Sequence, residues 1–175
     1  MNIKKLKTGA ITLALLFTST VMYAQGAKPS PAASAKGTVN GANITINYSS
    51  PSVKGRKIYG GLVPYDSVWR AGANAATVFT TDKKIMVGKT PLEAGSYSIY
   101  AIPGLKTWKI IFNSETGQWG TSRGGASTRV PAKDVVSILV KPVKTAALEE
   151  SLKYEITPKG FILAWENLSV LVPVK

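Results

Sequence analysis

Leu152-Lys153-Tyr154-Glu155-Ile156-Thr157-Pro158-Lys159-Gly160-Phe161-Ile162-Leu163-Ala164-Trp165 is the stretch from which the fold can be read. Leu152, Tyr154 and Ile156 alternate with Lys153, Glu155 and Thr157. Successive side chains on a strand point to opposite faces, so this pattern gives one apolar face and one wet face. Pro158-Lys159-Gly160 reads as a turn. Phe161, Leu163 and Trp165 follow at alternate positions, and Leu168, Val170, Val172 and Val174 close the domain.

Working outward, the same period of two recurs. Ile44, Ile46 and Tyr48 alternate with Thr45 and Asn47, after an Asn40-Gly41 step that marks a hairpin between Val39 and Ala42. Ala76 to Thr80 and Ile85-Met86-Val87 suggest a second hairpin across Asp82-Lys83. Tyr97, Ile99 and Ala101 precede a turn at Pro103-Gly104, and Trp108, Ile110 and Phe112 follow it. Val136, Ile138 and Val140 run up to Pro142, where the strand should fray. The single helix candidate is Thr145 to Leu152. Eight or more short strands with regular turn signals predict an all-β, antiparallel β-sandwich, with a jelly roll among the arrangements that would fit and one long packed loop. No internal repeat is evident.

The N-terminus has a different character. Lys4, Lys5 and Lys7 precede an apolar run from Ala10 to Met22, and Tyr23-Ala24-Gln25 follows. This three-part pattern is that of a secretory signal peptide over residues 1–24, cleaved after Ala24. The run is short for a membrane span, which needs about 20 apolar residues, so no stable span is expected after cleavage. Gln25 to Lys36 is rich in Pro, Ala, Ser and Lys and reads as a disordered leader, with a single domain from Gly37 to Lys175. The expected location is exported, periplasmic or secreted.

The formal charge is +13, and three of the lysines lie in the expected signal peptide. Such a surface attracts anions. The lysines are scattered, however, as at Lys109, Lys133, Lys141 and Lys153, and no run of five exists, so a solvated basic face is the plain reading. Nucleic acid is not an expected partner for an exported chain.

The alphabet restricts the chemistry. The chain has no His and no Cys. Ser-His-Asp and Cys-His relays are thereby excluded, as are the usual zinc and copper ligand sets. No nucleotide-binding glycine fingerprint and no EF-hand-type calcium loop appears, and no cofactor or metal is expected. Nine acids remain: Asp66, Asp82, Glu93, Glu115, Asp134, Glu149, Glu150, Glu155 and Glu166. A pair of them could act on a glycosidic bond. Asp66, before Trp69, and Glu166, after Trp165, hold the most interest. Thr80 to Lys83 has the loose spacing of a hydroxyl-lysine nucleophile but reads as a turn.

Tyr48 to Asn74, YSSPSVKGRKIYGGLVPYDSVWRAGAN, is long, weakly periodic and rich in Gly, Pro, Tyr, Trp and Arg. A loop of this length in a compact domain is usually functional or disordered, and this one carries too many large apolar residues to stay unpacked. Arg56 and Arg70 offer guanidinium forks suited to carboxylates, phosphates or sugar hydroxyls. Tyr59, Tyr65 and Trp69 offer flat faces, and Asn74 could turn the chain or present an amide. The structural alternative pairs Arg70 with Asp66 or Glu166. A second glycine-rich loop, Gly117 to Gly125, carries Trp119, for which a core-rim anchor is the simpler role and a ligand platform the functional one. The candidate ligand-binding set is Arg56, Tyr59, Tyr65, Trp69, Arg70, Asn74 and Trp119.

Several of these residues also carry a resemblance. Ser50-Pro51, Lys54-Gly55-Arg56, Gly61 to Tyr65, Val68 to Asn74, Ala94 to Ser98, Ile102-Pro103-Gly104, Trp108, Ile111-Phe112-Asn113 and Trp119-Gly120, in that order, resemble an exported bacterial family, domain of unknown function 2911. The resemblance covers about Val39 to Val174 and implies an all-β secreted fold. It implies no activity, so no catalytic residue transfers. That family commonly has an acidic residue after the Gly-Ala-Asn step, where this chain has Ala75.

The reading favoured by these residues is a non-catalytic exported binding domain for a carbohydrate, envelope glycan or other anionic envelope component. The alternatives are a carboxylate-dependent glycoside hydrolase or lyase, and a protein–protein module pairing through an edge strand.

Overall fold

The computed structural model describes residues 30–175; the expected signal peptide and the first part of the expected leader lie outside them. Ten strands form two layers. The strands are β1 (Ala32–Val39), β2 (Ala42–Ser49), β3 (Thr77–Thr81), β4 (Ile85–Val87), β5 (Thr90–Leu92), β6 (Gly95–Pro103), β7 (Trp108–Asn113), β8 (Asp134–Val140), β9 (Val143–Thr157) and β10 (Gly160–Pro173). The first layer is a six-stranded antiparallel sheet in the order β1-β2-β3-β6-β7-β8. The second is built around the long β9–β10 hairpin, with the short β4–β5 hairpin joined to it by the Val87–Val174 bridge and by reciprocal amide–carbonyl bonds between Met86 and Lys175.

The alternation read from the sequence decides which faces meet. Ile44, Ile46, Phe79, Ile99, Ile110 and Phe112 point inward from the six-stranded sheet. Tyr154, Phe161, Leu163, Trp165, Val170 and Val172 meet them from the hairpin. The Phe79 and Phe112 rings lie 5.2 Å apart, edge to face, and Phe79 is 5.7 Å from Phe161 across the layers. Each such buried side chain contributes on the order of 1.5–3 kcal/mol. At the Val39–Ala42 hairpin both turn residues have positive φ, Asn40 at 48° and Gly41 at 79°, as a type I′ turn requires.

In β10 the inward parity changes from odd, ending at Trp165, to even, from Leu168 onward. The register with β9 shifts on both sides of Glu166, which adopts φ 56°. A bulge here keeps both halves of the strand facing the core.

Four expectations are corrected. The large sheet follows chain order apart from the β4–β5 excursion, so it is not the paired Greek keys of a jelly roll. Thr145 to Leu152 is strand, part of β9; pairing with β10 overrides the helix propensity of Ala146, Ala147, Leu148 and Glu149. Asp82-Lys83 does not close a hairpin, because β3 pairs with β2 and β6 while β4 crosses to the other layer. Folded structure begins before Gly37: β1 starts at Ala32 and pairs with β2 along its whole length.

Candidate functional site

The segment between β2 and β3 joins the two layers. Near its start, Val53 donates to the Glu150 carbonyl and Leu152 donates to the Pro51 carbonyl, so Pro51 to Val53 extend the second layer beside β9. Near its end, Trp69 and Ala101 exchange amide–carbonyl bonds of 2.7 and 2.8 Å, so the chain there continues the place of β3 beside β6. A cleft of about 550 Å³ lies between these two runs. Its floor is Trp69 and Trp165, and Leu62, Val63, Pro64 and Val68 add apolar wall.

Backbone strain shapes the rim. Lys54, Ala71 and Asn74 have positive φ, at 48°, 52° and 58°. A non-glycine residue in this region costs roughly 1–2 kcal/mol and persists only where its surroundings fix it. Ala71 is fixed through its carbonyl, which accepts from Thr77 Oγ1 at 2.9 Å and Tyr154 Oη at 2.8 Å. Asn74 turns the chain, and its Nδ2 donates to the Ser30 carbonyl at 3.0 Å.

Of the predicted residues, Arg56, Trp69, Arg70 and Asn74 line the cleft. Arg56 is braced by its own loop, Nε donating to the Val53 carbonyl at 3.1 Å and Nη2 to the Ser52 carbonyl at 2.5 Å. Trp69 is half-buried, stacks on Trp165 at 5.9 Å and donates from Nε1 to the Gly72 carbonyl at 3.1 Å. Arg70 pairs with neither Asp66 nor Glu166. Its Nη1 donates to the Trp119 carbonyl at 3.0 Å and to Thr121 Oγ1 at 2.9 Å, and its guanidinium sits 5.5 Å from the centre of the Trp119 ring. Partial burial pulls the Arg70 pKa below its ordinary value; an arginine keeps its charge at neutral pH regardless.

The other three fall outside the cleft. Tyr59 is buried under it, among Trp69, Trp108 and Trp165. Burial, and secondarily the charge of Glu166, push its phenol far above the usual tyrosine range, so it stays neutral. Tyr65 packs below Gly60, whose position leaves no room for a Cβ against that ring. Trp119 is 55% exposed and flanks Arg70 from outside, so it is not the core-rim anchor that its size suggested. Lys54, Leu62, Thr121 and Trp165 were missed as cleft residues. Trp165 carried a signal in its place in the series Phe161, Leu163, Trp165, while Thr121 belongs to a loop whose position no local pattern encodes.

None of the cleft's lining residues is Asp or Glu. Two carboxylates near it are occupied by backbone amides: Glu150 accepts from Lys54 N at 2.9 Å, and Glu166 from Ile58 N at 3.1 Å. The register sets Glu166 opposite Glu149, but Glu149 is held by Lys153 at 2.8 Å.

Fold and site together define a two-layer β-sandwich with a cation-rimmed, aromatic-floored cleft where its layers are joined. The chain belongs to the family described as protein of unknown function (DUF2911), whose model matches residues 30–174. No curated protein and no solved structure matches it.

Proposed function

We propose that this chain is an exported, non-catalytic binding domain that holds a carbohydrate or other envelope component in the cleft beside Trp69. The observation that carries the reading is the cleft itself: about 550 Å³, walled by apolar and aromatic side chains, with Lys54, Arg56 and Arg70 at its rim. Ligand sites are commonly concavities of this size with a few placed polar groups. The absence of any acid from the lining leaves a two-carboxylate hydrolase without its pair there.

The test is a glycan array and a cell-wall pulldown with the chain lacking residues 1–24, run beside Leu62→Asp. Leu62 is exposed and lines the cleft, so this change places a negative charge at the mouth without touching the core. Binding that Leu62→Asp abolishes is the expected result. Failure to retain any glycan or anionic lipid would remove the reading.

One observation favours a second reading, a protein–protein module. The outer strand β8 exposes Val135 and Leu139, and an edge strand of this kind pairs readily with another chain. A dimer in size-exclusion chromatography, lost on Leu139→Lys, would support it.

A further inference from the structure

We infer that the cleft selects an organic anion: a carboxylate carried on a ring or apolar body, with Arg70 as its principal contact. This rests on the cleft being a binding site and adds the charge and shape of what it binds.

Charge is the first argument. Lys54, Arg56 and Arg70 line the cleft, and no described residue forms an ion pair with any of them. A partly buried guanidinium without a counter-charge carries a desolvation cost that a bound anion would offset. The same residues leave a neutral ligand no comparable gain.

Geometry is the second. Arg70 is held from one side only. Nη1 serves the Trp119 carbonyl and Thr121, and the guanidinium carbon lies over the Trp119 ring, 5.5 Å from its centre, while Nε and Nη2 have no acceptor among the described residues. An arginine fixed in this way presents its remaining donors in a plane that suits two carboxylate oxygens. Arg56 is likewise pre-positioned by two carbonyls, so little side-chain freedom is lost on binding.

The floor supplies the third. Trp165 is 1% exposed and lines the cleft beside Trp69. Around it the walls are Leu62, Val63, Pro64 and Val68, which suit a carbon-rich body better than a bare ion.

The experiment titrates 2-naphthoate, its neutral isostere 2-naphthamide, and inorganic phosphate into the chain lacking residues 1–24. The indole N–H signals of the four tryptophans are followed by NMR. Naphthoate should shift Trp69 and Trp165 and bind about tenfold or more tightly than naphthamide, with phosphate weaker than naphthoate. Arg70→Gln should erase the preference for the carboxylate. Arg56→Gln, a change in an exposed loop, should reduce it and guards against a folding defect in the first variant. If naphthamide matches naphthoate, the anion claim is overturned while the cleft stands as a site. Phosphate matching naphthoate would remove the requirement for a body. No shift at Trp69 or Trp165 with any probe would overturn both the inference and the reading beneath it.

Discussion

The hydroxyl of Tyr154, on β9, donates to the carbonyl of Ala71 across 2.8 Å, and so ties the second layer to the strained turn that carries Arg70. The same carbonyl accepts from Thr77 Oγ1 at 2.9 Å. Two hydroxyls on one buried carbonyl make the losses non-additive. Tyr154→Phe alone leaves the carbonyl satisfied and should cost about 1 kcal/mol; so should Thr77→Val. The double variant leaves it without a hydroxyl partner and should cost more than the sum, by roughly 1 kcal/mol. Urea unfolding of the four proteins measures this. Additive losses would mean that the two bonds do not share a task.

Alkali should unfold this protein in a defined way. Burial raises the Tyr154 phenol well above its ordinary value of 10.0, and Tyr59 is raised likewise. Both keep their protons in the folded state while the unfolded chain releases them. The stability they confer is whole below pH 10 and is lost as pH rises above it, by up to ~1.4 kcal/mol per pH unit for each tyrosine. Unfolding midpoints between pH 7 and 11 should fall steeply above 10, and Tyr59→Phe should flatten that fall. An unchanged slope in the variant would show that other groups drive it.

Gly160 follows the turn of the β9–β10 hairpin with φ 133°, and a Cβ there would meet the Val172 carbonyl oxygen at 2.1 Å. That obstacle is backbone from the same hairpin's far end and has little room to give. Gly160→Ala should cost about 3 kcal/mol or more, read as a lowered Tm. Gly117, with φ 87° and open space around it, is the contrast: Ala there meets only the backbone term, roughly 1 kcal/mol.

Trp119 is large yet mostly exposed, so its removal should be mild. Trp119→Ala loses the contact with Arg70, worth roughly 0.5–1 kcal/mol at a wet site, and should leave the denaturant m-value unchanged. A loss of 3 kcal/mol or more, typical of a core Trp, would contradict its observed place.

Much of the fold was legible because strand faces are a local property. Ile44 and Ile46, and Leu152 and Tyr154, announce their inward side by alternation with polar neighbours. The bulge at Glu166, which sets the inward parity of Leu168, Val170 and Val172, was not read from the sequence. Thr145 to Leu152 misled because its residues favour helix, and only the partner strand made it β. Asp82-Lys83 misled because a turn says that the chain bends, not which layer it enters.

The sequence by itself determined an all-β, two-faced architecture, a chain without imidazole or thiol, and the segment in which the cleft residues concentrate. These follow from alternation and composition, which need no knowledge of distant neighbours. Only the tertiary structure decided that Arg56 and Arg70 share one cleft, that Tyr59 lies beneath it, and that Arg70 rests on Trp119 rather than on a carboxylate. Those outcomes depend on where two layers and two loops converge, and contacts between residues far apart in the chain leave no periodic trace in it.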